Sequence, residues 1–533
     1  MLDVRGSRSL RSDFLSRAAE APESTALVVE GRSLSYGTLA ERARRIAAVI
    51  TEAGERGAER VGVFASRSET AYAATLGALF SGAAFVPLNR KFPIERTRAM
   101  VRRAELDAIV VDAESAAQLP EVLRGIEPAP RIFATERSTA AALAGHDVEV
   151  AGIADERVAP LDVLPPVLAD DIAYLLFTSG TTGEPKGVGV THANVLHFLD
   201  AMAARYRLAP HDRCSQTFDQ TFDLAVFDLF MAWGAGACVY AMRPIELLAP
   251  VRFVRKHELT LWFSVPSAPA LSLKKAALEA GSMPSLRYTL FCGEPLPDAL
   301  VRAWHAAAPQ SAIDNLYGPT ELTIACLAYR WDANTSPARA VNGIVPIGDP
   351  LPGLGALVVD DDLRPVEDGE VGELLVCGPQ VVPGYWRDAP KTAERFVELR
   401  LSPTRAKRFY RTGDRVARAG RGDYVYIGRV DQQIKVLGFR VELGEVEAVL
   451  LREAGVAQAA AVGWPTEDGR ALGIVAFAAG RVSSPDSLLA ATGRALPPYM
   501  VPSRVIVLDE MPLNANGKID RKALVARLAA EAP

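Results

Sequence analysis

Leu175-Leu-Phe-Thr-Ser-Gly-Thr-Thr-Gly-Glu-Pro-Lys-Gly187 is the stretch from which the rest of the chain is read. The apolar run at 173–177 predicts a buried strand that feeds straight into a loop of glycines and hydroxyls. Glycines let a backbone approach a phosphate closely, and Ser179, Thr181 and Thr182 carry hydroxyl donors for its oxygens. Lys186 adds a mobile positive charge at the far end. The glycine spacing, with a proline before the lysine, separates this loop from the Walker A pattern. Read alone, the stretch is equally a polar turn with a surface lysine. The remaining sequence decides between the two.

A length of 533 residues allows a large core and more than one domain. With 49% hydrophobic and 23% charged residues the composition is that of a soluble globular protein. A net charge of −5 leaves no basic footprint for nucleic acid. No apolar run reaches membrane-spanning length, and the charged N-terminus holds no secretory core, so a cytoplasmic protein is expected. Cys214, Cys238, Cys292, Cys326 and Cys377 are odd in number and far apart. They read as reduced core residues, not as a disulfide framework or zinc site.

Leu39, Ala43, Ile46, Ala47 and Ile50 recur at helical spacing and predict an amphipathic helix ending near Gly54. Apolar strands at 60–65, 84–88, 108–111, 173–177, 237–241, 259–265, 288–292 and 313–316 alternate with helical segments, which implies layered, mostly parallel α/β structure. The Pro/Ala/Glu-rich interval 120–168 has no clear period. From Asn342 onward, short strands at 355–359, 372–377 and 423–427 separated by Gly, Asp and Pro suggest antiparallel sheet. After Gly428-Arg429-Val430-Asp431 a smaller α+β unit begins, with a strand-turn segment at 433–441 and a helix at 444–453. Strands at 457–462, 474–477 and 504–508 follow, with a helix near 488–496. The expected division is 1–430 and 431–533.

Four more stretches join the glycine loop: Asn315-Leu-Tyr-Gly-Pro-Thr-Glu321, Tyr410-Arg-Thr-Gly-Asp414, Gly428-Arg-Val-Asp431 and Asn516-Gly-Lys-Ile-Asp-Arg521. Singly, each is a glycine turn with solvated charges. In this order the sequence resembles the adenylate-forming enzymes, in particular nonribosomal peptide synthetase adenylation domains. Leu34-Ser-Tyr36, Gly82-Ala-Ala-Phe-Val-Pro87, Gly372-Glu-Leu374, Gly384-Tyr-Trp386, Gln433-Ile-Lys435, Gly444-Glu445 and Pro498-Tyr-Met-Val-Pro502 extend the likeness over nearly the whole chain. The fold it implies is a large N-terminal domain of layered α/β subdomains plus a β-rich subdomain, followed by a small mobile α+β C-terminal domain.

The resemblance also implies roles. Thr178, Ser179, Gly180, Thr181, Thr182, Gly183 and Lys186 would hold the ATP phosphates. Tyr317 would stack on adenine, with Asn315 near its amino edge, and Gly318 would belong to the same nucleotide site. Asp414 would accept from the ribose hydroxyls, as suits an acceptor-only group. Arg429 would support the ribose-phosphate side. Thr320 and Glu321 would sit at the phosphates, with Glu321 and Thr182 holding Mg²⁺, a cation that favours oxygen ligands. Lys518 would bridge the attacking carboxylate and the α-phosphate. Asp431 would be a hinge about which the small domain turns between adenylation and thioester formation. In the second state the loop from Lys435 to Gly438 would replace Lys518 at the site.

Phe222-Asp-Leu-Ala-Val-Phe-Asp228 resembles the family segment whose first aspartate, here Asp223, pairs with the substrate α-ammonium. Ala225 stands where serine is commoner. Asp228 is read as a capping or supporting group. Carried over by position, the substrate pocket is Asp223, Leu224, Phe227, Ser264, Leu290, Cys292, Leu316, Ile324 and Ala325. Apart from Asp223, these residues carry no charge, which disfavours Asp, Glu, Lys and Arg as substrates. A small or medium neutral amino acid is expected. The segment from Asp223 to Gly236 is similar to free-standing prolyl-activating enzymes, which makes L-proline the leading choice, with serine, alanine and valine open. No carrier-protein domain is read between the Lys518 motif and Pro533, so a separate carrier protein bearing a phosphopantetheine arm is the expected partner. Whether an MbtH-like activator is needed stays open. Phe291-Cys292-Gly293-Glu294 also resembles D-alanine–carrier protein ligases. An acyl-CoA ligase would have no use for Asp223, and a non-catalytic adenylate-binding scaffold no need of Lys186, Glu321, Asp414, Arg429 and Lys518 together.

Overall fold

A computed structural model describes the chain apart from residues 1–7, 53–56, 144–149, 153–157, 180–184, 275–277, 403–404, 419–421, 468–469, 483, 514–518 and 532–533. Two large sheets form the first part. One has nine strands and is parallel through Arg213–Gln216, Leu261–Ser264, Tyr288–Cys292 and Ala312–Tyr317. The other has seven and is parallel through Arg60–Phe64, Ala84–Leu88 and Ala108–Val111. The unclear interval 120–168 holds Arg131–Ala134, which pairs in parallel with Ala108–Val111 and extends the second sheet.

The helix over Tyr36–Thr51 buries the predicted Leu39, Ala43, Ile46, Ala47 and Ile50, while Gly54 lies outside the described residues. Glu69–Phe80 and Leu224–Gly234 are mostly apolar around their whole circumference and accordingly buried almost throughout. They share with the two sheets one continuous core. A five-stranded antiparallel sheet follows, built from Gly355–Val359, Val371–Cys377, Phe396–Ser402, Arg405–Arg418 and Tyr424–Arg429. Asp414 was expected just after a glycine turn, but the structure puts it inside the long strand Arg405–Arg418. Gly413, at φ +71, produces a local irregularity there without ending the strand.

Two small sheets and the helices Leu443–Leu451, Pro485–Ala495 and Arg521–Glu531 make up the C-terminal part. They close over cores of their own. Among the described residues no helix is long and apolar enough to cross a membrane.

Candidate active site

The stretch expected to bind phosphate is flanked by two paired antiparallel strands. Ile172–Thr178 pairs with Lys186–Thr191, and Thr178 stands opposite Lys186. Thr178 Oγ1 is buried with no protein partner, as suits a hydroxyl meant for a ligand oxygen. Gly180, Thr181, Thr182 and Gly183 lie outside the described residues. Lys186 is almost fully buried, 5.2 Å over the Tyr385 ring. Burial brings its ammonium down to about 8, reinforced by the Arg440 guanidinium and opposed by Glu321 and Glu442.

Ala312–Tyr317 delivers Asn315, Leu316 and Tyr317 to the carboxyl end of the nine-stranded sheet, the edge at which such sheets bind ligands. Here a cavity of about 370 Å³ is lined by Tyr317, Gly318, Asp414, Arg429, Lys435 and Arg440, among others. Gly318 is required, because a Cβ would lie 2.6 Å from Ala325 Cα. The Tyr317 hydroxyl donates to Asp414, and Arg429 spans Asp414 and Asp431. Asn315 lines the same cavity, but its amide donates 2.9 Å to the Pro346 carbonyl, so it braces the wall.

Glu321 is fully buried. Burial opposes its ionisation, yet the Arg440 guanidinium, the Lys186 ammonium and the Tyr385 hydroxyl outweigh it and hold the carboxyl at about 2. An ionised oxygen ligand of this kind fits Mg²⁺. No group of three or more His, Cys, Asp or Glu gathers among the described residues, so an ion at Glu321 would be completed by other oxygen donors, the expected Thr182, phosphate and water among them.

Asp223 precedes the helix Leu224–Gly234 and is buried, with no protein partner for Oδ2. Burial pushes its carboxyl up to about 6, opposed by a hydrogen bond from the Thr320 hydroxyl and by Lys435. Asp228 accepts from the Thr217 amide at 3.2 Å, a supporting role as expected. Leu224, Phe227, Leu290, Cys292, Leu316, Ile324 and Ala325 all lie in the main core.

Ser264 departs from them. It pairs with Phe291, whose ring belongs to a second core, while Leu290 and Cys292 face the first. Its hydroxyl accepts from Trp262 Nε1 at 2.9 Å and donates to the Val265 carbonyl at 3.0 Å. The alternation of the strand thus turns the Ser264 side chain away from the other predicted pocket residues.

Lys518 lies outside the described residues. What meets the site is the hairpin formed by Gln433–Val436 and Phe439–Glu442. It brings Lys435 to the cavity and Arg440 to Glu321. Gly438, at φ +83, passes so close to Val265 that a Cβ would lie 2.4 Å from its Cγ1. Sequence reasoning did not single out Arg440, Glu442 or Gln380. Gln380 is fully buried, and its amide donates to the Ala325 carbonyl at 2.7 Å and the Leu322 carbonyl at 3.1 Å. It clamps the turn in which Thr323 (φ 57) and Ile324 (φ 73) both adopt the left-handed region, a strained conformation for β-branched residues. Its place six residues after Leu374 gave no sequence signal for that role.

A model of the AMP-binding enzyme family matches residues 14–386, and one of the AMP-binding enzyme C-terminal domain matches 445–518. The chain belongs to this family. AMP-binding enzymes similar to it include the L-proline--[L-prolyl-carrier protein] ligase of Streptomyces coelicolor. That enzyme is 36% identical over 94% of this chain and 92% of its own length. The dimodular nonribosomal peptide synthase of Bacillus subtilis is 33% identical over 97% of this chain, which spans only 21% of that protein. Among solved AMP-binding enzymes, the Vibrio cholerae adenylation domain AlmE, in complex with glycyl-adenosine-5'-phosphate, has a TM-score of 0.88. It is 30% identical, with 98% of each chain covered. The chain is accordingly an AMP-forming amino acid ligase of the adenylate-forming superfamily, and its reaction uses ATP.

Proposed function

We propose that the protein activates a small or medium neutral amino acid as its aminoacyl adenylate, releasing pyrophosphate, and passes it to the phosphopantetheine thiol of a carrier protein. The observation that carries the amino-acid part is Asp223: a buried carboxylate with one oxygen lacking a protein partner is suited to an α-ammonium group. L-Proline is the leading substrate, supported by the likeness to a prolyl-carrier protein ligase and by the uncharged wall around Asp223.

Two anions, a carboxylate and a triphosphate, must be brought together, so the protein's work is positioning and charge neutralisation. Thr178 and Lys186 hold phosphate oxygens; Tyr317 and Asp414 hold the nucleoside; Asp223 orients the amino acid; Lys518 steadies the attacking carboxylate. Glu321, with Thr182, would hold Mg²⁺, which when bound would further neutralise the phosphates. Asp431 acts as the hinge between the two halves of the reaction.

Cys292 favours one second reading. Its thiol lies in the electrostatic reach of Asp223, where it would touch the α-substituent and suit D-alanine. ATP–pyrophosphate exchange against a panel of L- and D-amino acids and simple acids separates the readings. A dominant signal with L-proline supports the first, D-alanine the second, and activity with acyl or aryl acids alone removes the role given to Asp223.

A further inference from the structure

The hairpin that meets the phosphate region carries charges of opposite sign on one face. Alternate residues of a strand share a face, and in Phe439–Glu442 those are Arg440 and Glu442. Across the hairpin they stand opposite Lys435 and Gln433, while Val436 and Val441 supply the apolar face packed in the C-terminal core. The charged face meets two buried groups of the complementary signs. Arg440 Nη1 donates to both Glu321 oxygens, at 3.0 and 2.9 Å. Glu442 Oε1 stands 3.9 Å from Lys186 Nζ. Ser179 Oγ pins the same strand, donating to the Arg440 carbonyl at 2.9 Å.

Glu321 and Lys186 are the groups that, on the adenylation reading, hold the cation and the anion of magnesium pyrophosphate. We propose that Arg440 and Glu442 replace that salt once it has left: a guanidinium takes the place of the metal at Glu321, and a carboxylate the place of the phosphate at Lys186. The inference rests on the adenylation reading. Both Glu321 oxygens are bonded to the guanidinium, so a metal ion at that carboxylate and the docked hairpin exclude one another. Product loss would otherwise leave the buried Glu321 and Lys186 with little beyond each other to balance them in place of a metal and a phosphate, which is unfavourable. The exchange of partners thus orders the steps, because the hairpin docks only behind departing pyrophosphate and the returning salt ejects it.

The test is calorimetric titration of the full chain with inorganic pyrophosphate in excess Mg²⁺, for wild type, Arg440→Ala, Glu442→Gln and Arg440→Lys. If the docked state holds nine-tenths of the population, removing the competitor tightens apparent binding by about tenfold. Tighter binding in Arg440→Ala and Glu442→Gln, with Arg440→Lys near wild type, supports the exchange. A purely structural role has the opposite sign, so unchanged or weaker binding in both variants overturns it. ATP–pyrophosphate exchange by the wild type reads the underlying assignment separately. Exchange with unaltered pyrophosphate affinity in the variants defeats the counter-ion role alone, whereas no exchange with any amino acid defeats both.

Discussion

Asp223 keeps a carboxylate in a place that penalises its charge. With burial holding the carboxyl near 6, above its ordinary value of 3.8, the group favours the fold in full below the lower figure. That contribution is lost as pH rises through about 6, so at neutral pH the ionised group is a liability unless a cation answers it. The free enzyme must ionise Asp223 to take an ammonium, and kcat/KM for the amino acid should therefore fall about tenfold per pH unit below pH 6. Asp223→Asn should lower kcat/KM by about 10²-fold and remove that limb from the profile, leaving KM for ATP within about twofold. A retained limb in the variant would give the titration to another group. Asp223 was legible because the segment from Phe222 to Asp228 resembles one whose first aspartate meets an α-ammonium; by itself an aspartate before a helix is equally an N-cap. Gln380 was not, since a glutamine declares its partners only when the chain has folded around it.

At the scale of the element, the sequence showed a strand-turn segment at 433–441 but not the hairpin's target. Sequence spacing says which residues share a face and nothing about what that face will meet. The same limit explains Ser264, which position placed in the pocket and strand alternation turns toward Trp262. It also explains Arg405–Arg418, whose interior glycine suggests a turn where the strand absorbs an irregularity. Gly438 itself carries a sharp expectation. At φ +83, with Val265 Cγ1 2.4 Å from where a methyl would sit, alanine is opposed by both backbone and neighbour. Gly438→Ala should slow transfer of the aminoacyl group to phosphopantetheine by at least about tenfold through that strain, while ATP–pyrophosphate exchange stays within about twofold. Equal losses in both assays would show that the hairpin serves adenylation as well.

Across the whole molecule, the two parts meet along a seam of different character from either core. Phe92 and Phe222 of the large part meet Tyr499 and Phe439 of the small one, the last two stacked at 3.8 Å. Beside them Arg96 and Glu445 form an ion pair at 2.5 Å with side chains 5% and 1% exposed. The pair is single-pronged, because Arg96 Nε and Glu445 Oε2 have no protein partner. Buried pairs of this kind add little net stability, since desolvation offsets the attraction, but breaking one leaves an uncompensated charge at about 3–5 kcal/mol. For a fixed interface that is poor construction. For a surface that docks and releases it is apt, because the cost of a broken pair falls on the docked state alone. Arg96→Met should therefore lower single-turnover transfer to phosphopantetheine by about 10²-fold, the lower end of that penalty, by leaving Glu445 buried and alone. If Asp431 is the hinge proposed above, Glu445 meets water once the small domain swings away, so ATP–pyrophosphate exchange should stay within about twofold and the thermal transitions of the two parts should hardly move. If exchange falls in step with transfer, the two parts act as one permanent body and Asp431 is not a hinge. If transfer alone falls, the seam sets how long the small domain stays docked.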